Sequence, residues 1–454
     1  MLSFLWPGLG QLYSRRPCAA AVFAVPLVLA AIWLGLQLAN GLGYFGASFL
    51  DDSFALTFAI GLVLLGLWRM ASMIHAYAFA GPRRRPSMVD TGVIAILLVT
   101  VVAVHGFAAN LELAAYNFDN NVASNQLIPD QPTLAPTGLA NASATAGPSP
   151  TAAWTPTSTG SPEPTWSPSP TPAPSHRITV LLTGVDFLAG RRHAMNDSIL
   201  IASVDTQTYQ AAILSVPRDT SDFDFYWGGS AGINTKINNF ANLVAQGAIH
   251  APDPPATALA KEVGWLVGLK VDYYVIVDIA GFGALVDAAN GVCVNNPKAI
   301  NDPSTDTFIP AGNQCMDGAT TLKYVRSREG AGDNDYTRSG RQQDVLIALA
   351  RKLTSAAGIG YLANVLAVAG KEVQTNFPLK TARDYVSLAG HVAATTISQC
   401  VLGPPYNYHP SSALTKGTWT SRLKLSMVAG LSVYLFGADS RFYGMEGITP
   451  APCA

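Results

Sequence analysis

Three apolar stretches follow one another in the first quarter of the chain, Ala19 to Leu38, Phe54 to about Ala71 and Thr91 to Ala109. Each approaches the ~20 residues that carry an α-helix across a bilayer. None has the polar face that a helix packed on a soluble core turns to water. A cleaved signal peptide has one short apolar core and a small-residue cleavage site, so long, repeated stretches read as three retained membrane spans. Short loops rich in Lys and Arg stay cytoplasmic. Arg15 and Arg16 precede the first stretch and Arg83, Arg84 and Arg85 fill the second loop, whereas the first loop carries Asp51 and Asp52 and no basic residue. A cytoplasmic N-terminus and three spans place everything after about Asn110 outside the cell. Gly41, Gly43 and Gly46 spell G-x-G-x-x-G, but that fingerprint works only between a strand and a helix of a βαβ unit, and here it joins two spans.

The 454 residues divide by composition into a membrane region (1–116), a linker (117–176), a folded domain (177–400) and a C-terminal extension expected to pack on it (401–454). Pro, Ser, Thr and Ala dominate from about Pro129 to Ser175. Such a stretch cannot bury a core and prefers extended conformations, so it is expected to act as a semi-stiff stalk holding the domain off the membrane. A formal net charge of −1 excludes the basic footprint of a nucleic-acid partner. Four of the five cysteines, Cys293, Cys315, Cys400 and Cys453, fall in the outer part, where an oxidising compartment allows disulfides. Cys293 with Cys315 is the first choice of pair and Cys400 with Cys453 the second; the spacing fits no zinc motif.

In the outer part, β-branched runs predict strands at Ile178 to Gly184, Ser198 to Val204, Gln210 to Ser215 and Tyr273 to Asp278. Helical patterns cover Ala256 to Leu266, Ala280 to Ala289, Ala319 to Tyr324 and Arg338 to Lys352, and helical character continues to about Ile397. The mixture predicts an α/β domain, a central mixed sheet flanked by helices.

Polar residues gather at strand ends, where open α/β sheets place ligands. Asp186 ends the first strand, Asp197 opens the second, and Arg218 follows the third within Ser215-Val216-Pro217-Arg218-Asp219-Thr220. Further on come Tyr324-Val325-Arg326-Ser327-Arg328 and the run from Asp335 to Gln343. Arg338, Arg341 and Gln342 are spaced i, i+3, i+4 and share one face of what reads as the first turn of a helix. Free N–H groups there, with guanidinium forks, suit a phosphate or pyrophosphate. Asp186 and Asp197 offer the hard oxygens that Mg²⁺, or Mn²⁺, takes alongside substrate phosphates. The competing reading pairs each arginine with a nearby aspartate on a solvated helix face.

These motifs, in this order, resemble the LytR-CpsA-Psr family of envelope phosphotransferases: Gly184-Val185-Asp186, Asn196-Asp197-Ser198, the segment ending at Thr220, Thr235-Lys236-Ile237-Asn238, Val277 to Phe282, and the two arginine runs. The resemblance implies that Asp186 and Asp197 hold magnesium. It also implies that Arg218, Arg326, Arg328, Arg338 and Gln342 contact a lipid pyrophosphate, with Asp335 a carboxylate and Lys236 a lysine of the same site, and that an apolar pocket holds a polyprenyl tail. The implied reaction moves a glycopolymer from a polyprenyl-pyrophosphate carrier to a peptidoglycan hydroxyl, with Asp335 or Asp197 open as proton acceptor. Two departures stand out: Met195 where the family has an arginine, for which Arg191, Arg192 or His193 are the substitutes at hand, and two more spans than the family's usual one.

Three other readings remain. A serine hydrolase would use Gly228-x-Ser230-x-Gly232 with His391 or His409, but the required strand before and helix after the serine are missing from the pattern. Water in place of the acceptor would make the same site a pyrophosphatase. A lipid- or glycan-binding sensor in the envelope would need no catalysis.

Overall fold

The computed structural model describes residues 2–39, 51–79, 91–103, 176–186, 195–328, 333–355, 358–378 and 396–453, with a few isolated positions between them. Two helices, α1 (Pro17–Leu38) and α2 (Asp52–Ala78), are long and apolar enough to cross a membrane. The third expected span is an apolar helix over Thr91–Ala103, shorter than a bilayer requires, and part of its expected C-terminal end lies outside the described residues. Gly41, Gly43 and Arg83 to Arg85 also lie outside them. Ahead of α1, the segment Pro7 to Tyr13 locks onto α2. Gln11 is 1% exposed, and its amide donates to the Ser72 carbonyl at 2.8 Å. A Cβ on Gly10 would stand 2.9 Å from that of Ala76.

The outer domain is built on a six-stranded mixed sheet. Its strands are β1 (Arg177–Asp186), β2 (Met195–Asp205), β3 (Ala211–Ser215), β4 (Tyr273–Asp278), β5 (Val373–Thr375) and β6 (Ile397–Val401), in the order β6-β3-β2-β1-β4-β5. β1, β2 and β3 run antiparallel to one another in turn, while β4 joins β1, and β6 joins β3, in parallel. Helix α3 (Pro255–Val267) closes one face, where Leu181, Ile199, Ile201, Leu214 and Ile276 share a core with Leu259, Val263 and Val267. Over the other face lie α4 (Ile279–Ala288), α5 (Gly318–Arg326) and α6 (Asp335–Thr354). There Leu200, Ile213 and Ile347 form a smaller core, and beside it Leu182, Leu200, Val275 and Val277 border a cavity.

One irregularity positions the site. Gly184 faces Ser198 and Val185 faces Asn196, so Asp197 is the extra residue of a β-bulge. A bulge leaves its extra residue out of the ladder and re-aims its side chain. At Gly184 the partner strand comes close: its N–H donates to Ser198 Oγ at 2.8 Å, and a Cβ would stand 2.7 Å from that oxygen.

The C-terminal part returns to this domain. After β6, a last helix, α7 (Leu425–Phe436), contributes Val428 and Leu431 to the main core. Cys400 in β6 is bonded to Cys453, and Cys293 to Cys315, which face each other across the hairpin Val292–Asn296 and Gly312–Met316. Ile128, ahead of the Pro/Ser/Thr stretch, is 2% exposed and belongs to the main core. It exchanges two hydrogen bonds with the Gln374 side chain, at 2.8 and 3.2 Å. The chain therefore docks on the domain before that stretch begins; the stretch itself lies outside the described residues.

Cys18 is left as the free thiol. The unreduced, denatured full-length protein should take up one maleimide per chain and five after reduction, as counted by intact-mass spectrometry. Five without reduction would exclude both bridges.

Candidate functional site

The site forms where the C-terminal ends of β1 and β4 meet the bulge of β2, the end of α5 and the start of α6. Gly184, Asp197, Arg326, Arg328, Arg338 and Gln342 rim a cavity of about 150 Å³. Apart from Thr183 and Ser198, the rest of its wall is apolar and includes Leu182, Leu200, Val277, Phe282, Leu322 and Leu346. Polar groups thus occupy one end of an otherwise hydrocarbon hollow, the arrangement of a site for a molecule with a charged head and an apolar body.

Arg338 is 3% exposed. One of its Nη atoms lies 3.5 Å from Asp335 Oδ1 and the other donates to the Asp197 carbonyl at 3.3 Å. Arg328 shares the same Asp335 oxygen at 3.4 Å, Arg218 donates to Asp197 Oδ1 at 2.5 Å, and Arg326 lies 3.7 Å from Asp186. Burial, and then the neighbouring Arg328, push the Arg338 guanidinium down to about 10. Burial also works against the charge of Arg218, but Asp197 beside it outweighs that and holds it above its ordinary value. The site is therefore short of negative charge around Arg338, and an anion there relieves it. Three buried polar atoms, Arg218 Nε, Arg338 Nε and Asp335 Oδ1, have no hydrogen-bond partner among the described residues. Two of them are guanidinium donors, which an anion's oxygens would satisfy.

Not every expected residue faces this cavity. Arg341 points inward, donating to the carbonyls of Tyr324 (2.9 Å) and Ser327 (2.5 Å) and to Asp333 (2.7 Å), so it fastens the end of α5 to α6. Lys236 pairs with Asp219 at 2.6 Å, one step outside the cavity wall. The helix-terminus argument also changes. α6 begins at Asp335, with Asn334 as N-cap, so Arg338 sits past the first turn. The Asn334 side chain already accepts from the N–H groups of Tyr336 and Thr337 at 2.9 Å, which takes the place of an anion there. Arg338 and Gln342 still share a face at i, i+4, and both reach the cavity.

Asp186 and Asp197 stand at one end of the β1/β2 pair, and no group of three or more His, Cys, Asp or Glu suited to a metal occurs among the described residues. Two carboxylates next to an anion site fit Mg²⁺ or Mn²⁺, which complete their shells with phosphate oxygens and water. They do not make a zinc cage. Arg191, Arg192 and His193 lie outside the described residues. The nucleophile elbow is absent: Ser230 bridges to Asp224 in a turn where Gly228 and Gly229 have φ of 99° and 84°, and His391 stacks on Tyr209.

Sequence reasoning missed a polar cluster on the far side of Arg338. Asn407 donates to the Tyr336 hydroxyl at 2.9 Å, and that hydroxyl lies 3.2 Å from His409 Nε2. Burial raises the Tyr336 phenol above its ordinary value, so it stays protonated and donates to the imidazole. These residues sit some seventy positions apart with no shared motif, and only the fold joins them.

A model of the LytR_cpsA_psr family matches residues 151–416. The cell wall biosynthesis protein LcpA of Corynebacterium glutamicum is 32% identical over 191 residues, 38% of this chain and 36% of LcpA. TagV of Bacillus subtilis, named a polyisoprenyl-teichoic acid–peptidoglycan teichoic acid transferase, is 26% identical over 204 residues, 44% of this chain and 49% of TagV. The chain thus spans half or less of the length of these two relatives. The crystal structure of B. subtilis TagV superposes with a TM-score of 0.47 at 20% identity, covering 60% of this chain and 99% of that one.

The geometry separates two arginines by role. Arg341→Ala should destabilise the intact protein by about 3–5 kcal/mol, the cost of stranding buried partners of a charge, read from its denaturant midpoint. Arg326→Ala, at a side chain 52% exposed, should leave stability within about 0.5 kcal/mol and weaken binding of inorganic pyrophosphate in calorimetry. The opposite pattern would refute the assignment.

Proposed function

The chain belongs to the LytR-CpsA-Psr family, and on that premise we propose that it transfers a glycopolymer from a polyprenyl-pyrophosphate carrier to a hydroxyl of peptidoglycan. One observation carries the reading: three guanidinium groups, Arg326, Arg328 and the buried Arg338 with its unsatisfied Nε, close one end of an apolar cavity. A polyprenyl pyrophosphate carrying a glycan has the matching form, a diphosphate with one negative charge per phosphate on a hydrocarbon chain. About 150 Å³ is the scale of a cavity that holds a benzene-sized ring. It suits the isoprene units nearest the pyrophosphate, and the rest of the tail extends toward the mouth.

In this reading Arg326, Arg328 and Arg338 hold the pyrophosphate oxygens, and Arg218 braces Asp197 from behind. Asp335 keeps Arg328 and Arg338 side by side despite their like charge. The acceptor oxygen forms a bond to the phosphorus that carries the glycan, and the bond from that phosphorus to polyprenyl phosphate breaks. The proton of the acceptor passes to a carboxylate of the site, Asp335 or Asp197. Guanidinium groups fixed in place before reaction stabilise the charge that builds on the leaving phosphate. Asp186 and Asp197 would hold Mg²⁺ or Mn²⁺, which when bound adds positive charge against the phosphate oxygens. α1, α2 and the apolar helix at Thr91–Ala103 would anchor the protein in the cell membrane as three spans, N-terminus inside and the domain outside, within reach of both lipid carrier and wall.

Arg338→Ala and Asp197→Ala should each lower release of polyprenyl phosphate from a polyprenyl-pyrophosphate glycan by about 100-fold or more, the scale of losing one preorganised charge-stabilising group. Thin-layer separation of the labelled lipid products measures this. Full turnover in both variants would defeat the proposal, and lipid release with no glycan reaching peptidoglycan would make the enzyme a hydrolase.

A further inference from the structure

Arg338 borders a second cavity, of about 140 Å³, whose wall has the opposite character. It is made of Arg218, Asp335, Tyr336, His409, Trp419 and Ser421. Polar and aromatic groups line it where the first cavity is lined by hydrocarbon. Its outer wall comes from the segment after β6, and Trp419 lies beyond the last residue matched by the family model.

Trp419 is 63% exposed. A lone exposed aromatic needs no explanation, but this ring is held in place. Its centroid lies 4.0 Å from that of His409, at an interplanar angle of 30°. His409 in turn is fixed at both nitrogens: Nδ1 donates to the Thr420 carbonyl at 2.8 Å, and Nε2 accepts from Tyr336. Behind them Ser421, 1% exposed and part of the cavity wall, has a hydroxyl without a partner among the described residues. A buried unsatisfied hydroxyl beside a rigid aromatic face suits a ligand that is polar at its edge and apolar on its face. A pyranose ring is such a ligand, with C–H groups across its faces and hydroxyls around its rim.

Attack in line on phosphorus requires the incoming oxygen to arrive opposite the leaving one. With polyprenyl phosphate departing into the apolar cavity, the acceptor must come from across the arginines, and the second cavity meets the first at Arg338. We propose that the Tyr336–His409–Trp419 cavity is the acceptor subsite, where Trp419 stacks on a peptidoglycan sugar and the polar wall takes its hydroxyls. This rests on the transferase reading above.

The test uses full-length protein in detergent, a polyprenyl-pyrophosphate glycan as donor and soluble uncrosslinked peptidoglycan strands as acceptor. Trp419→Ala should raise the acceptor KM by about tenfold while the donor KM moves less than about twofold, the signature of lost binding on one side only. Trp419→Phe should recover most of the loss, because a flat ring remains. Without donor, the strands should quench tryptophan fluorescence of the wild type and not of Trp419→Ala. An unchanged acceptor KM, or donor and acceptor KM rising together, would overturn the subsite. A wild-type protein that releases no polyprenyl phosphate would instead defeat the transferase reading, and the acceptor role with it.

Discussion

A guanidinium buried as deeply as that of Arg338 is the constraint around which the site is arranged. Removing such a charge from water costs several kcal/mol unless partners replace the lost hydration. Here replacement is incomplete. Asp335 serves two arginines with one oxygen, Asp197 gives Arg338 only its backbone carbonyl, and Nε is left over. The deficit keeps a positive centre in a place of low dielectric, where an anion is attracted more strongly than it would be at the surface. Stability and binding pull in opposite directions at this residue, which is the usual condition of a functional group inside a fold.

The sheet beneath makes this possible because one face is packed throughout and the other is only partly filled. Leu181, Ile199 and Ile276 are sealed under α3, while Leu182, Leu200 and Val277, one residue out of phase, line the cavity, with Leu200 also packed on Ile213 and Ile347. Alternation along a strand allows both at once. The bulge then breaks the alternation at a single point and brings a carboxylate into the polar rim without disturbing the strand's apolar faces on either side.

Much of this was legible beforehand, and the reasons differ by residue. Strands β1, β2, β3 and β4 and helices α3, α4, α5 and α6 announce themselves by local periodicity, and the structure places them within a few residues of expectation. Arg326, Arg328, Arg338 and Gln342 were legible because they are clustered in sequence. For Arg341, helical spacing gives a shared face but not the direction in which the helix lies against its neighbours, and two buried carbonyls claim it. The start of α6 was placed three residues late because the Asn334 cap follows polar residues with no apolar rhythm. Short strands such as β5, and the cluster of Tyr336, Asn407 and His409, leave no local signal at all. They exist through contacts between distant parts of the chain.

The docking of Ile128 has a consequence for the path of the chain. Ile128 at Gln374 and Arg177 in β1 are held on one sheet, so the proline-rich residues between them begin and end on the same domain. A change in their number closes a longer or shorter loop on that one domain, and each doubling of a loop costs only about 0.6 kcal/mol in closure entropy.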